Sequence, residues 1–187
     1  MQQEEELLVR RAQQDEPEAF AQLFETYFDS LYRYIVLRVG NRADAEDLTQ
    51  QTFLKALESI KSYRCRGLPF SSWLFRIAHN QTVDHYRKRS KEQNIPLEET
   101  RALANDDPAS LAEQRITMAQ LAEACQQLTE AQREVIYLRF SSELSVAETA
   151  SIMGKREGAV KVLQHDAVKK LRKIFEARSG DTGVQKV

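Results

Sequence analysis

The sequence predicts an all-α protein of two small helical domains joined by a flexible linker, the C-terminal one carrying a helix-turn-helix. Three observations predict it. Only six glycines and four prolines occur in 187 residues, and long β-branched runs are absent. Apolar residues recur at three- and four-residue spacing along much of the chain, the period of a helix buried on one face. Near the C-terminus a short capped segment, a glycine turn and a longer basic segment follow one another, which is helix-turn-helix order.

Pro17 opens the first predicted helix, 17–38, at the position where a missing N–H costs nothing. Phe20, Leu23, Phe24, Tyr27, Leu31, Tyr34 and Ile35 give it a wide apolar face, and Gly40-Asn41 ends it. A second helix, about 43–60, turns Ala45, Leu48, Thr52, Ala56 and Ile60 inward and Asp44, Asp47, Gln50, Gln51, Lys55 and Glu58 outward. Ser62 to Phe70 is a loop by its Gly67 and Pro69, rich in aromatic and basic groups. Ser71 is expected to cap a third helix, 72–90, with Trp73, Ile77, Asn80 and Asp84 on one stripe. These helices close a first domain over residues 1–90.

Residues 91–107 are polar, acidic and aperiodic, and read as the linker. Pro108 starts a helix facing Leu111, Met118, Leu121, Ala122, Cys125 and Leu128 one way. Thr129 with Gln132 forms a capping box for a helix carrying Val135, Ile136, Leu138 and Phe140, and Ser145 with Glu148 forms a second. A short helix then reaches Met153-Gly154, and a long basic helix runs from about 157 to 177. The second domain is thus 108–178, and 179–187 reads as a disordered tail.

Composition narrows the function. The hydrophobic fraction of 42% and charged fraction of 29% are those of a soluble globular protein. No apolar run approaches the roughly 20 residues that span a bilayer, and the start, MQQEEELL, lacks a signal peptide's basic end and apolar core. A cytoplasmic protein without membrane insertion is expected, with Cys65 and Cys125 as free thiols. There is no GxxxxGK[ST] phosphate loop and no HExxH, and His79, His85 and His165 lack metal-ligand spacing. No catalytic residue, metal, cofactor or small-molecule substrate is therefore expected.

The net charge of -1 hides a segregation. Residues 1–30 hold eight acids against Arg10 and Arg11, and residues 98–113 hold five against Arg101. Arg87, Lys88, Arg89 and Lys91 form one basic cluster, and Lys155, Arg156, Lys161, Lys169, Lys170, Arg172 and Lys173 another. Two separate basic blocks suit two contacts with a polyanion, although two solvated helix faces would look alike. In the helix-turn-helix, base-reading side chains belong near the N-terminal half of the second helix. Here these are Arg156, Glu157, Lys161, Gln164 and His165, with Val160, Leu163, Ala167 and Leu171 facing inward. In the 62–70 loop, aromatics beside Arg64 and Arg66 offer an unstacked base a π-face and charge neutralisation. On spacing alone, Phe70 and Trp73 fit the core better.

The segment Asp44-Ala45-Glu46-Asp47-Leu48-Thr49-Gln50-Gln51-Thr52-Phe53 resembles the polymerase-gripping region of sigma factors. Pro69-Phe70-Ser71-Ser72-Trp73-Leu74-Phe75-Arg76-Ile77-Ala78-His79-Asn80, with Asp84 and Arg87, is similar to their promoter-melting helix. Leu128 to Leu171 resembles their C-terminal helix-turn-helix. In this order and spacing the chain resembles the extracytoplasmic-function (ECF) sigma factors, the minimal two-domain group.

The resemblance implies a factor that directs RNA polymerase core to promoter DNA and assists strand opening. Asp44, Asp47, Gln50 and Gln51 would contact the clamp helices of the polymerase largest subunit. Tyr63, Arg64, Phe70, Trp73 and Asn80 would hold a flipped base of the minus-ten element, with Arg87, Lys88 and Arg89 on nearby phosphates. Lys155, Arg156, Glu157, Lys161, Gln164, His165 and Lys169 would meet the minus-thirty-five element. It further implies an anti-sigma factor as a partner able to occlude both domains. Gln51 stands where an acid is common, Lys155 where an apolar residue is usual, Arg156 replaces a serine cap, and Asp166 replaces a frequent arginine. The alternatives are a stand-alone helix-turn-helix regulator, which usually needs a dimer, and a polymerase adaptor that reads no DNA.

Overall fold

The computed structural model describes residues 2–65, 67–93 and 120–181. Most of the predicted linker, and the helix expected from Pro108 up to residue 119, lie outside them. Among the described residues every regular element is helical. An amphipathic helix is stable only when its apolar stripe is covered, and each element here covers another's.

Helix α1 spans Gln2–Gln13, where the sequence suggests only an acidic segment. It buries Val9 and Ala12 against α2, Pro17–Val39. Asp15, at φ 64°, makes the turn between them. Helix α2 starts at its proline and ends on Gly40 in the left-handed region, whose N–H donates to the Val36 carbonyl. Asn41 then caps α3, Arg42–Ser59, its side chain accepting from the Asp44 N–H at 3.0 Å. A single 3-10 turn, Ile60–Ser62, leads into the loop. Helix α4 spans Phe70–Gln93, longer at both ends than expected. Ser71 lies inside it and is no cap: its hydroxyl donates to Glu148 Oε1 at 2.7 Å. Leu23, Leu31, Ile35, Ala45, Ala56, Leu74, Phe75 and Ala78 fill the core between α2, α3 and α4.

Helix α5, 120–126, buries Ala124 and Cys125. Both capping boxes form, Thr129 with Gln132 opening α6, Glu130–Ile136, and Ser145 with Glu148 opening α7, Val146–Met153. After α6 the chain widens into a π-helical turn, Tyr137–Ser141. The extra residue per turn moves Tyr137 into the core and leaves Phe140 56% exposed. Gly154, at φ 62°, makes the left-handed turn that ends α7. Helix α8 runs over Glu157–Asp181, three residues into the segment expected to be a disordered tail. Both cysteines are free, Cys65 exposed and Cys125 buried. Burial pushes the Cys125 thiol up to about 11 despite Arg133 nearby.

Candidate DNA and polymerase interfaces

The outer face of α3 follows from its periodicity. Leu48, Thr49, Thr52, Phe53 and Ala56 are buried, so Asp47, Gln50 and Gln51 stand exposed on the opposite side. One turn further, Leu54 is 56% and Leu57 48% exposed. Sequence reasoning missed both leucines, which its own outward register at 47, 50 and 51 could have found. Asp44, grouped with the outer residues, is instead half-buried and pairs with Arg89 of α4 at 3.4 Å. The same carboxylate lies 3.6 Å from His85 Nε2. Asp44 and Arg89 therefore clasp α3 to α4, and neither is a free surface group.

The 62–70 loop is built on aromatic packing. Tyr63 lies 4.9 Å from Trp73 and 5.7 Å from Phe70 between ring centroids, and Tyr27 lies 5.8 Å from Phe70. Phe70 is only 2% exposed, so its ring is the floor of this cluster and not an open stacking face. Tyr63 and Trp73 are half-buried above it. Arg64 folds back, its Nη1 donating to the Lys61 and Tyr63 carbonyls at 2.9 Å each. Burial, with Cys65 and Glu5 beside it, raises the Tyr63 hydroxyl above its ordinary range, so it stays a donor. Asn80 is exposed on α4, as are Asp84 and Arg87, which pair at 3.7 Å, and Lys88. A cleft of about 330 Å³ lies between the loop and α1.

At the other end, α7, the Gly154 turn and α8 form the helix-turn-helix. Val160, Ala167 and Leu171 are buried, which turns Lys155, Arg156, Glu157, Lys161, His165 and Lys169 outward. Val162 joins them at 61% exposure, an apolar side chain on the same outer face that the sequence did not flag. Gln164 does not join them: half-buried, its Oε1 accepts from Arg139 Nε at 3.1 Å. Arg156 occupies the cap position, its carbonyl accepting from the Ala159 and Val160 N–H groups at 3.0 and 3.2 Å.

The Sigma-70 region 2 family matches residues 23–92, and the Sigma-70 region 4 family matches residues 124–173. The ECF RNA polymerase sigma factor BldN of Streptomyces coelicolor is 42% identical over 174 residues, covering 90% of this chain and 64% of BldN. The ECF RNA polymerase sigma factor SigD of Mycobacterium tuberculosis is 31% identical over 171 residues, covering 88% of this chain and 81% of SigD. The chain belongs to the ECF RNA polymerase sigma factors. The fold agrees: the sigma factor RpoE of Bartonella quintana, solved in complex with the anti-sigma factor NepR, superposes with a TM-score of 0.70 at 25% identity. That match covers 84% of this chain and 96% of the other.

In this ECF sigma factor the region 2 and region 4 segments meet across a buried polar junction. Glu134 of α6 lies between Arg38 and Tyr34 of α2 and His79 of α4. Tyr34 donates its hydroxyl to Glu134 Oε1 at 2.6 Å, and His79 Nδ1 lies 2.8 Å from the same oxygen. Arg38 Nη1 reaches Glu134 Oε2 at 2.6 Å. Burial by itself would raise the Glu134 carboxyl, but Arg38, His79 and Tyr34 outweigh it and hold the group at about 2. Ser71 and Glu148 bridge the two segments a second time. Nothing local announces this junction. Its sequence signal is a lone charge of opposite sign on the apolar row of each partner helix.

Proposed function

We propose that this sigma factor brings RNA polymerase core to promoters through three surfaces on one chain, with no catalytic chemistry of its own and in the cytoplasm. Asp47, Gln50 and Gln51, extended by Leu54 and Leu57, grip the polymerase. The Tyr63–Phe70 loop, Trp73 and Asn80 hold an unstacked base of the minus-ten element, and Arg87 and Lys88 meet phosphates. Lys155, Arg156, Glu157, Lys161, His165 and Lys169 read the minus-thirty-five element. Residues 1–90 and 108–178 form the two domains and 91–107 the linker. One observation carries the reading: an exposed basic recognition helix shares the chain with an exposed, leucine-bearing face on α3 that DNA binding alone does not need.

The packed junction belongs to the protein off DNA. Promoter elements about 25 base pairs apart are separated by roughly 85 Å of duplex at 3.4 Å per step. A compact chain of this length has a radius of gyration of about 16 Å. The regions therefore separate on the promoter, and the closed form suits capture by an anti-sigma factor, the kind of protein bound to RpoE. Promoter-specific RNA synthesis with added core polymerase tests the reading. A stand-alone regulator would bind the DNA without supporting synthesis, and an adaptor would bind polymerase without footprinting the promoter.

A further inference from the structure

We propose that α1 is a brace that sets the shape of the minus-ten recognition loop, with Gln13 and Glu5 as its positioning residues. The proposal rests on the reading that this loop holds an unstacked promoter base. It concerns a helix that precedes the residues matched to sigma region 2, which begin at 23. Gln13 Nε2 donates to two carbonyls, those of Ile60 and Tyr63, each at 2.9 Å. Ile60 begins the 3-10 turn after α3 and Tyr63 is the first loop residue, so one amide fixes the direction in which the loop departs. At the far end, Glu5 Oε1 accepts from the Phe70 N–H at 2.6 Å. Phe70 is the first residue of α4, and its N–H is one of the donors a helix start leaves without an intrahelical partner. A carboxylate from another helix thus does the work of a cap and faces the positive end of the α4 dipole.

Both ends of the loop are held by one rigid element. Glu5, Val9 and Gln13 are four residues apart and share a face of α1, with Val9 buried between the two polar grips. Glu5 and Gln13 stand about 12 Å apart along the axis at 1.5 Å per residue. The cleft of about 330 Å³ is walled by these three side chains on one side and by Tyr63 and Leu68 on the other. That is within the range of roughly 300–1,000 Å³ typical of ligand clefts. A loop held at both ends before DNA arrives loses less freedom when a base enters, so the brace acts on strand opening more than on duplex binding.

The test uses full-length protein in holoenzyme on a promoter carrying 2-aminopurine in the minus-ten element. Fluorescence followed against holoenzyme concentration separates closed-complex affinity from the opening rate. Gln13→Glu keeps the size but presents oxygen to both carbonyls. Glu5→Ala removes the acceptor, while Glu5→Gln retains one. Gln13→Glu and Glu5→Ala are expected to slow opening about fivefold or more, as the loss of one or two net hydrogen bonds implies. Closed-complex affinity stays within about twofold, and Glu5→Gln opens at close to the parent rate. Asn80→Ala and Tyr63→Ala run beside them. If those two slow opening and the α1 variants do not, the loop reading stands and the brace is overturned. If none of the four slows opening, the loop reading itself fails and takes the brace with it. Equal losses of core binding, closed complex and opening in the α1 variants would make α1 a scaffold only and also overturn the proposal.

Discussion

Arg38 and Glu134 meet inside the protein with Nη1 2.6 Å from Oε2, each side chain only 3% exposed, one from region 2 and the other from region 4. Tyr34 and His79 complete the carboxylate's surroundings, but Nε and Nη2 of Arg38 are buried without a hydrogen-bond partner among the described residues. The pair is thus only partly compensated for its lost hydration, and separation of the two regions returns both charges to water. A junction of this kind is specific without being irreversible.

Glu134→Gln should loosen that junction. Removing one partner of a buried ion pair leaves an uncompensated charge, typically worth about 3–5 kcal/mol. Small-angle scattering on the free protein should show a larger radius of gyration for the variant, with helicity unchanged. Superimposable profiles would mean that apolar packing, not the ion pair, holds the regions together.

The same carboxylate predicts an acid response. Its native value of about 2 lies below the ordinary 4.5, so the stabilisation it supplies is complete above about 4.5 and is lost as pH falls toward 2. Thermal unfolding followed between pH 6 and pH 3, a range of roughly this width, should show the parent losing its advantage over Glu134→Gln only in the acidic part. A constant difference between parent and variant across the range would refute the assignment.

On the outer face of α3, Asp47→Ala combined with Leu54→Ala should weaken core-polymerase affinity by about tenfold or more, the loss expected where exposed residues become interface anchors. Because both sites are solvent-facing, stability should move by about 0.5 kcal/mol or less. Pull-down affinity and the thermal midpoint, measured together, check both halves.

Arg156 occupies a cap position where Ser, Thr, Asp or Asn is favoured, with Lys155 beside it at the positive end of α8. A phosphate bound there would reverse the penalty. Arg156→Ser should stabilise the free protein by about 0.5–1 kcal/mol. It should also weaken promoter binding and reduce the salt slope by about one unit. Equal affinity at every salt concentration would show Arg156 to be a solvated charge.

Much of this architecture is written locally. Pro17, Gly40, the Thr129 and Ser145 capping boxes and the Gly154 turn act through groups within a few residues, so they predict element ends without knowledge of the rest. Periodicity likewise turned Asp47, Gln50 and Gln51 outward on α3 and Arg156, Lys161 and His165 outward on α8. The helix-turn-helix and the order of the two regions were legible for the same reason: each depends on neighbours the sequence itself supplies.

What the sequence left open are choices between partners distant in the chain. Asp44 is exposed by pattern, yet Arg89 draws it into a clasp. Gln164 faces the groove by register, yet Arg139 takes its oxygen. Ser71 has the chemistry of a cap, but its hydroxyl donates to Glu148 instead, and Glu5 supplies the acceptor at the start of α4. Tyr34 and Glu134 are 100 positions apart, and no local rule joins them. Backbone preferences and helical period are settled within a turn or two, and the sequence alone determined those. A long polar side chain has several partners within reach of its rotamers, and burial alone makes one of them necessary, so only the tertiary structure decided which.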